Sequence, residues 1–160
     1  MSKPGRRGSG AERLLFPLVA LFVIGADQLT KYWMLALLFP YNVIPVFGPL
    51  RLALVYNKGV AFGLFANQTY LSLVVFGALV LIFIFYRSRL FYGVWGRLAF
   101  GLVLGGAVGN LIDRLRYGYV VDFVDFGFWP VFNLADSAVT AGVFALAYSM
   151  YLMAKRQPGG

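Results

Sequence analysis

Acid–base chemistry in this chain must come from aspartate. Only six of the 160 residues are acidic, and the chain has no histidine and no cysteine. The aspartates lie at the ends of strongly apolar segments and are Asp27, Asp113, Asp122, Asp125 and Asp136. Because carboxylates at membrane depth are costly, they usually mark a functional site. A pair of aspartates is therefore the first candidate for a catalytic centre.

The segment GYVVDFVDF, residues 118–126, decides which aspartates can cooperate. Its β-branched and aromatic residues favour a strand, in which Asp122 and Asp125 point to opposite faces. We therefore expect Asp122 to face the site and Asp125 to face the membrane interface. A helix would instead place both side chains on one face and let them form the pair themselves.

The segment FNLADSAV places Asp136 three residues after Asn133, a candidate N-cap. In one interpretation Asp136 completes a capping box or complements the helix dipole. In the other, the helix dipole keeps Asp136 ionised while nearby Asp122 holds a proton, because two adjacent carboxylates do not both ionise easily. Such a pair can activate water for attack on a peptide carbonyl and then protonate the leaving amine, as aspartic proteases do.

Three further polar residues have both a structural and a functional interpretation. Asp27 and Lys31, in the segment DQLTK, have the i, i+4 spacing of a local ion pair that makes an inserted charge tolerable, and the alternative is a part in catalysis. Asn57, in YNKGVAFG, is either a turn residue or a substrate contact. An all-carboxylate site for Mg²⁺ or Ca²⁺ is an alternative, but the chain has no dense acidic motif.

The segment GGAVGNLIDR, residues 105–114, combines glycines with hydrogen-bonding side chains. Its glycines extend a small-xxx-small row suited to close helix packing, formed by Gly101, Gly105 and Gly109. The polar residues form either a network at the water boundary or a platform that orients the substrate backbone and braces the aspartate pair. The residues concerned are Gly106, Asn110, Asp113 and Arg114.

The elements that position these residues are predicted to span a membrane. The chain is 61% hydrophobic and only 12% charged, against about 25% charged in a soluble domain, and its mean hydropathy is +0.77. Its net charge of +8 does not indicate nucleic-acid binding, because the basic residues lie between apolar spans rather than on one groove-facing patch. We therefore expect a single membrane-embedded domain over residues 1–160, with no nucleic-acid partner.

Four stretches are long enough to cross the hydrocarbon core: residues 14–35, 70–86, 94–112 and 134–153. The N-terminus resembles a signal peptide, but its apolar run is long enough to span and is interpreted as a retained helix. Nine of the fourteen basic residues fall on one side of these spans, which predicts that both termini are cytoplasmic. The tail 1–13 is then cytoplasmic, and the aspartates lie at the outer face.

Two connections on the outer side are predicted to be extended. Residues 36–69 contain β-rich runs and prolines at 40, 45 and 49, which favour short strands and turns. Residues 113–133 are similarly rich in aromatic residues. We expect a small sheet that rests on the membrane surface beside the helix ends and clamps the substrate.

Five segments, in this order, resemble the signature of the lipoprotein signal peptidase family, also called signal peptidase II. They are DQLTK at 27–31, YNKGVAFG at 56–63, GGAVGNLIDR at 105–114, VVDF at 120–123 and FNLADS at 132–137. The resemblance covers nearly the whole chain and shows no departure at a motif position.

The resemblance implies a bacterial inner-membrane aspartic endopeptidase that removes the signal peptide from a prolipoprotein after its cysteine has been diacylglyceryl-modified. It implies four transmembrane helices with an outer β-cradle, contact with membrane phospholipids, no metal or other cofactor, and inhibition by globomycin. Asp122 and Asp136 fall on the family's catalytic positions. The resemblance gives a site-shaping or supporting role to Asp27, Lys31, Asn57, Gly106, Asn110, Asp113, Arg114, Asn133 and Ala135.

Other functional classes fit the sequence less well. A small transporter or channel subunit would use intramembrane aspartates to relay protons or bind cations, but here the carboxylates gather at one face. A lipid-modifying transferase typically needs a metal-bound or histidine-assisted centre, and this chain has no histidine. A purely structural assembly factor would not require both Asp122 and Asp136.

Overall fold

A computed structural model describes residues 10–39, 43–58 and 93–155. The helices are α1 (Gly10–Leu38), α2 (Gly93–Tyr117) and α3 (Leu134–Lys155), and the strands are β1 (Val43–Phe47), β2 (Leu50–Asn57) and β3 (Val120–Asp125). Each helix contains a stretch long and apolar enough to cross a membrane: Leu14–Leu38, Gly93–Tyr117 and Leu134–Lys155. These stretches confirm three of the predicted spans, and the one at 70–86 lies outside the described residues.

The helices extend beyond the predicted spans. In particular, α2 continues to Tyr117, so Asp113 and Arg114 lie within its last turns rather than in the outer connection. The predicted connection 113–133 therefore begins after Tyr117. The longer α2 matters for the site, because the side chains of Asp113 and Arg114 project from a rigid helix instead of from a loop.

Close packing of α2 against both other helices depends on its glycines. A Cβ atom at Gly101 would lie 2.8 Å from the Phe16 carbonyl oxygen, and one at Gly105 would lie 2.7 Å from Val23 Cβ. The opposite side of α2 meets α3, where a Cβ atom at Gly142 would lie 3.0 Å from the Ala99 carbonyl oxygen of α2. The small-residue row therefore has the packing role predicted from the sequence.

The three strands form an antiparallel sheet in the order β1-β2-β3, which confirms that both predicted connections contain strands. The first connection was predicted to begin at residue 36, but α1 continues to Leu38, and residues 40–42 and 59–69 of this connection lie outside the described residues. A turn at Gly48, with φ of 54°, joins β1 to β2. In the second pair of strands Val55 lies opposite Asp122, and Arg51 lies opposite Asp125. The register places Asp122 and Asp125 against different partners on β2.

The segment after β3 folds back onto that strand before α3 begins. Phe132 accepts hydrogen bonds from the backbone N–H groups of Phe123 and Val124, and its own N–H donates to the Val124 carbonyl oxygen over 3.1 Å. Phe126 also stacks on Phe132, with ring centroids 6.0 Å apart, and this contact packs the returning segment against β3. The returning segment brings Asn133 and the first turn of α3 directly beside Asp122.

Candidate active site

Asp122 is buried on the inner face of β3, with an exposed fraction of 1%. Asn57 Nδ2 donates to its Oδ2 over 2.8 Å, and Asn133 Nδ2 donates to its Oδ1 over 2.7 Å. Asn57 reaches it from β2 because it pairs with Val120, two residues away on the same face of the sheet. Both carboxylate oxygens therefore accept hydrogen bonds from amides of neighbouring elements.

Asp136 lies in the first turn of α3, where the structure supports the capping interpretation. Asn133 Oδ1 accepts a hydrogen bond from the Asp136 backbone N–H over 2.9 Å, and Asp136 Oδ2 accepts from the Asn133 N–H over 3.3 Å. These reciprocal bonds are those of a capping box. Asn110 Nδ2 adds a hydrogen bond of 2.8 Å to Asp136 Oδ1. The capping role and the proximity to Asp122 hold together, because Asn133 contacts both aspartates.

Two asparagines connect the pair. The Asn133 side-chain amide is fully buried and donates to both Asp122 and Asn110, the latter over 3.0 Å. Asn110 in turn donates to Asp136. A chain of hydrogen bonds thus runs from one carboxylate to the other and holds the amides in fixed orientations.

Below the pair lies a buried ion cluster. The Lys31 ammonium donates to Asp27 Oδ2 over 2.8 Å, to Asp113 Oδ2 over 2.9 Å and to Asn110 Oδ1 over 2.9 Å. The predicted Asp27–Lys31 ion pair is therefore confirmed, and it is one half of a larger arrangement. Asp27 and Asp113 thus hold the Lys31 ammonium group between them.

Asp125 belongs to a different environment. Its Oδ2 forms an ion pair of 2.6 Å with Arg51 Nη2, and its Oδ1 accepts a hydrogen bond from the Gly127 N–H over 2.6 Å. It is mostly buried rather than exposed to the membrane interface. As expected from the strand, it does not take part in the Asp122 contacts.

The remaining predicted residues border the same centre. Gly106 faces α3, where a Cβ atom would collide with the Ala135 carbonyl oxygen, so only glycine allows this approach. Ala135 is fully buried, and its N–H donates to Asp27 Oδ1 over 3.0 Å. The Arg114 guanidinium is half-buried, and Nη1 donates to the Asn110 carbonyl oxygen over 3.4 Å.

The charge of the site favours one retained proton. Its charged side chains are Asp27, Lys31, Asp113, Arg114, Asp122 and Asp136. With all of them ionised, carboxylates outnumber cations. Burial raises the pKa of Asp122 from 3.8 to about 6, with a further contribution from the negative charge of Asp136, while hydrogen bonds from Asn57 and Asn133 oppose the rise. Asp122 is thus the carboxyl group that holds a proton at mildly acidic pH.

A groove of about 540 Å³ opens from Asp136 along the outer side of α3. Its other lining residues are mainly apolar or aromatic and are Trp129, Phe132, Ser137, Thr140, Ala141 and Phe144. Asp136 is only half-buried, so this groove gives an apolar ligand access to one member of the pair. Two hydroxyl groups, from Ser137 and Thr140, are the polar exceptions in the lining.

Gln28 is a member of the site that sequence reasoning missed. Its Nε2 donates to Asp113 Oδ1 over 2.9 Å, to the Gly109 carbonyl oxygen over 3.2 Å and to Asp27 Oδ2 over 3.3 Å. The available signal was a polar side chain next to Asp27 within an apolar span. All the other predicted residues meet in this one region of the described chain.

Comparison with known proteins decides the family. A family model described as signal peptidase (SPase) II matches residues 19–152. The chain is 46% identical to a lipoprotein signal peptidase of Moorella thermoacetica over 147 residues, covering 89% of this chain and 96% of the relative. The chain belongs to the signal peptidase II family. A relative of the same name from Clostridioides difficile is 38% identical, with 89% of this chain and 99% of the relative covered.

Solved structures agree with the family assignment. A bacterial membrane enzyme determined by the in meso method at 2.3 Å resolution has a TM-score of 0.78 and 30% identity, covering 89% of this chain and 91% of its own. A second, at 1.9 Å resolution, has a TM-score of 0.74 and 32% identity, covering 83% and 90%. The resemblance in the five motifs is therefore confirmed, and the protein is a peptidase of a multi-pass membrane fold.

Proposed function

We propose that the protein cleaves the signal peptide from diacylglyceryl-modified prolipoproteins, immediately before the lipidated cysteine, with Asp122 and Asp136 as its catalytic pair. The observation that carries the proposal is the connection of these two carboxylates through Asn133, which donates to Asp122 and forms a capping box with Asp136. Membership of signal peptidase II, whose relatives are named lipoprotein signal peptidase, supports the substrate class.

The proposed chemistry assigns opposite starting states to the pair. Asp136 is assigned the role of base, because it lies at the positive end of α3, where the helix dipole favours a negative charge, and accepts two hydrogen bonds. Asp122 starts with the proton, because burial raises its pKa to about 6 and its protonated form is therefore populated at mildly acidic pH. Asp136 takes a proton from water as the water oxygen attacks the peptide carbonyl carbon, and Asp122 gives its proton to the carbonyl oxygen.

Collapse of the resulting gem-diol completes the reaction. The C–N bond breaks as Asp136 gives its proton to the leaving nitrogen, and Asp122 takes a proton from one diol oxygen. The products are a carboxylic acid and an amine, and both aspartates return to their starting states. Asn57, Asn110 and Asn133 hold the two carboxyl groups in position throughout.

The proposed setting is the bacterial inner membrane, with four spans and both termini in the cytoplasm. The three described helices and a further span at 70–86 form one peptidase domain over residues 1–160, and the sheet of β1, β2 and β3 lies at the outer face. A lipidated substrate stays in the bilayer, so its scissile bond must be met near the interface. The groove beside Asp136 offers an apolar route from lipid to the pair. Phospholipids surround the helices, and globomycin-type inhibitors compete for the same cleft.

The supporting roles of the other residues form part of the proposal. Each has a contact that links it to the pair or to the elements bearing it. They are Asp27, Lys31, Asn57, Gly106, Asn110, Asp113, Arg114, Asn133 and Ala135.

The test is cleavage of a diacylglyceryl-modified prolipoprotein by the purified protein in lipid or detergent. We expect Asp122→Asn and Asp136→Asn each to abolish turnover while thermal unfolding shows that both remain folded. The matched control is Asp125→Asn, which removes a carboxylate from the same strand outside the pair and should keep turnover.

Three outcomes would contradict the proposal at different levels. A folded wild type without cleavage would refute the substrate class, and vesicle flux would then test the transporter alternative. Full activity in folded Asp122→Asn or Asp136→Asn would refute the pair. An inactive Asp125→Asn beside an active Asp122→Asn would reverse the assignment of the two faces of β3.

A further inference from the structure

Two buried aspartates outside the catalytic pair each hold a backbone amide. Asp27 Oδ1 accepts from the Ala135 N–H over 3.0 Å, and Asp113 Oδ2 accepts from the Val121 N–H over 3.0 Å. Each of these amides belongs to the residue immediately before one catalytic aspartate. The two contacts therefore fix the backbone from which each catalytic side chain projects.

The two aspartates are joined to one another by two donors. The Lys31 ammonium bridges Asp27 Oδ2 and Asp113 Oδ2, at 2.8 Å and 2.9 Å. The Gln28 side-chain amide bridges the same two carboxylates, at 3.3 Å and 2.9 Å. We call this group, Asp27, Gln28, Lys31 and Asp113, the amide clamp. It connects the start of α3 to the start of β3 through α1 and α2.

The amide clamp has little freedom to rearrange. Lys31 uses its third ammonium hydrogen for Asn110, so its three donors are all occupied. The side chains of Asp27, Lys31 and Asp113 have exposed fractions of 0 to 3%. A Cβ atom at Gly109 would lie 2.6 Å from Asp27 Oδ2, so the α2 backbone closes the remaining side. Buried charges in this geometry depend on every partner.

From this geometry we propose that the amide clamp sets the separation and orientation of the catalytic aspartates, and that Gln28 is a positioning residue for the reaction. The inference rests on the proposed function and deepens it. The clamp residues do not touch the scissile bond. They act through the Ala135 and Val121 amides, so a change in the clamp alters the chemical step more than substrate binding.

The main test uses Gln28→Met, which keeps a long flexible side chain and removes the bridging amide. We expect kcat to fall roughly 10-fold or more. This is the lower end of the loss seen when groups that orient metal ligands are removed, and Gln28 has a comparable positioning task. We expect KM to stay within about twofold, because uniform substrate binding is unchanged. The pH profile of kcat should also move, because the distance between the coupled aspartates changes.

The matched control is Asp125→Asn. Asp125 is also an aspartate that accepts a backbone N–H, from Gly127, and pairs with a cation, Arg51. It lies outside the clamp and takes no part in the Asp122 contacts, so its loss should leave kcat and KM within about twofold of wild type and the pH profile of kcat in place. The control separates the general effect of removing a polar side chain from a buried hydrogen-bond network from the specific effect of breaking the clamp.

A second measurement does not use activity. With ¹⁵N-alanine and ¹⁵N-valine labelling, the amide signals of Ala135 and Val121 should both shift in Gln28→Met, because the Gln28 amide contacts both of the carboxylates that accept from these N–H groups. In Asp125→Asn both signals should stay at their wild-type positions. A shift of the Val121 signal alone would mean that the two arms are independent and would overturn the clamp.

The outcomes separate the two proposals. If wild type cleaves, Asp122→Asn does not, and Gln28→Met keeps wild-type kcat, only the clamp is overturned. If Gln28→Met raises KM at constant kcat, Gln28 contributes to binding and its positioning role is wrong. If wild-type protein does not cleave the lipidated substrate, the proposed function fails and the catalytic role of the clamp fails with it.

Discussion

We expect the ionised Asp122 carboxylate to destabilise the folded protein at neutral pH. The stability of Asp122→Asn, measured relative to wild type, should therefore be greater at high pH than at low pH. The folded pKa of Asp122, about 6, exceeds its ordinary value of 3.8, so the folded state binds more protons than the unfolded state between these values. The free energy of unfolding therefore falls as pH rises from about 4 to 7. The shift of about two units corresponds to about 3 kcal/mol at about 1.36 kcal/mol per unit.

The substitution also has a cost that does not depend on pH. Asn57 and Asn133 each donate to an Asp122 oxygen, and an asparagine at this position presents an oxygen to only one of them. The unmatched donor costs about 1–3 kcal/mol at every pH. Comparison of the variant with wild type at two pH values removes this constant and leaves the titration of Asp122.

The assay is thermal unfolding in detergent, followed by tryptophan fluorescence at pH 4.5 and pH 7.5. About 2 kcal/mol of this free energy titrates between pH 4.5 and pH 7.5. The difference in Tm between variant and wild type should therefore be about 4–8 °C more favourable to the variant at pH 7.5, on the scaling of soluble domains of this size. The control is Val121→Ala, an uncharged substitution beside Asp122 on β3. Its Tm should differ from that of wild type by the same amount at both pH values. An equal Tm difference for Asp122→Asn at both pH values, or a larger one at pH 4.5, would refute the raised pKa.

Three further perturbations test other parts of the site. Asn57→Leu removes a hydrogen bond that lowers the pKa of Asp122, so the alkaline limb of the pH profile of kcat should move to higher pH. An unchanged alkaline limb would contradict the role of Asp122 as the acid. Gly106→Ala should lower the free energy of unfolding by about 1–3 kcal/mol, because the added methyl group overpacks against the α3 backbone. The control is Gly25→Ala, whose Cβ atom would meet nothing within 4 Å, so its Tm should equal or exceed that of wild type. Equal Tm values for the two variants would contradict the close approach of α2 and α3. Ala141→Trp fills the groove beside the pair and should raise KM with kcat retained, and an unchanged KM would show that the substrate does not enter there.

The local features of this protein could be predicted from neighbouring residues. The β-branched and aromatic residues of the segment predicted the strand at Val120–Asp125, and that strand separates Asp122 from Asp125. The N-cap at Asn133 and the i, i+4 pairing of Asp27 with Lys31 also follow short-range rules and are confirmed. Helix bounds were less accurate, because α2 continues past its apolar run into polar residues that the rest of the site stabilises.

The long-range partners of the polar residues could not be read in this way. Lys31 reaches Asp113 and Asn110 on another helix, and Gln28 bridges the two carboxylates beneath the pair. Helical periodicity shows which residues share a face but not which face of another helix it meets. The same limit explains why Asp125, expected at the membrane interface, is instead buried in an ion pair with Arg51.

The sequence by itself determined the kind of chemistry and the family. With no histidine or cysteine in an apolar chain, five aspartates and five ordered motifs indicate an aspartic membrane peptidase. The tertiary structure alone decided how the two aspartates proposed as the catalytic pair are held. The glycine row brings the helix backbones together, and the returning loop places Asn133 beside Asp122, so side chains distant in sequence share one set of hydrogen bonds. The physical reason is that burial leaves each polar group dependent on a partner supplied by another element of the fold.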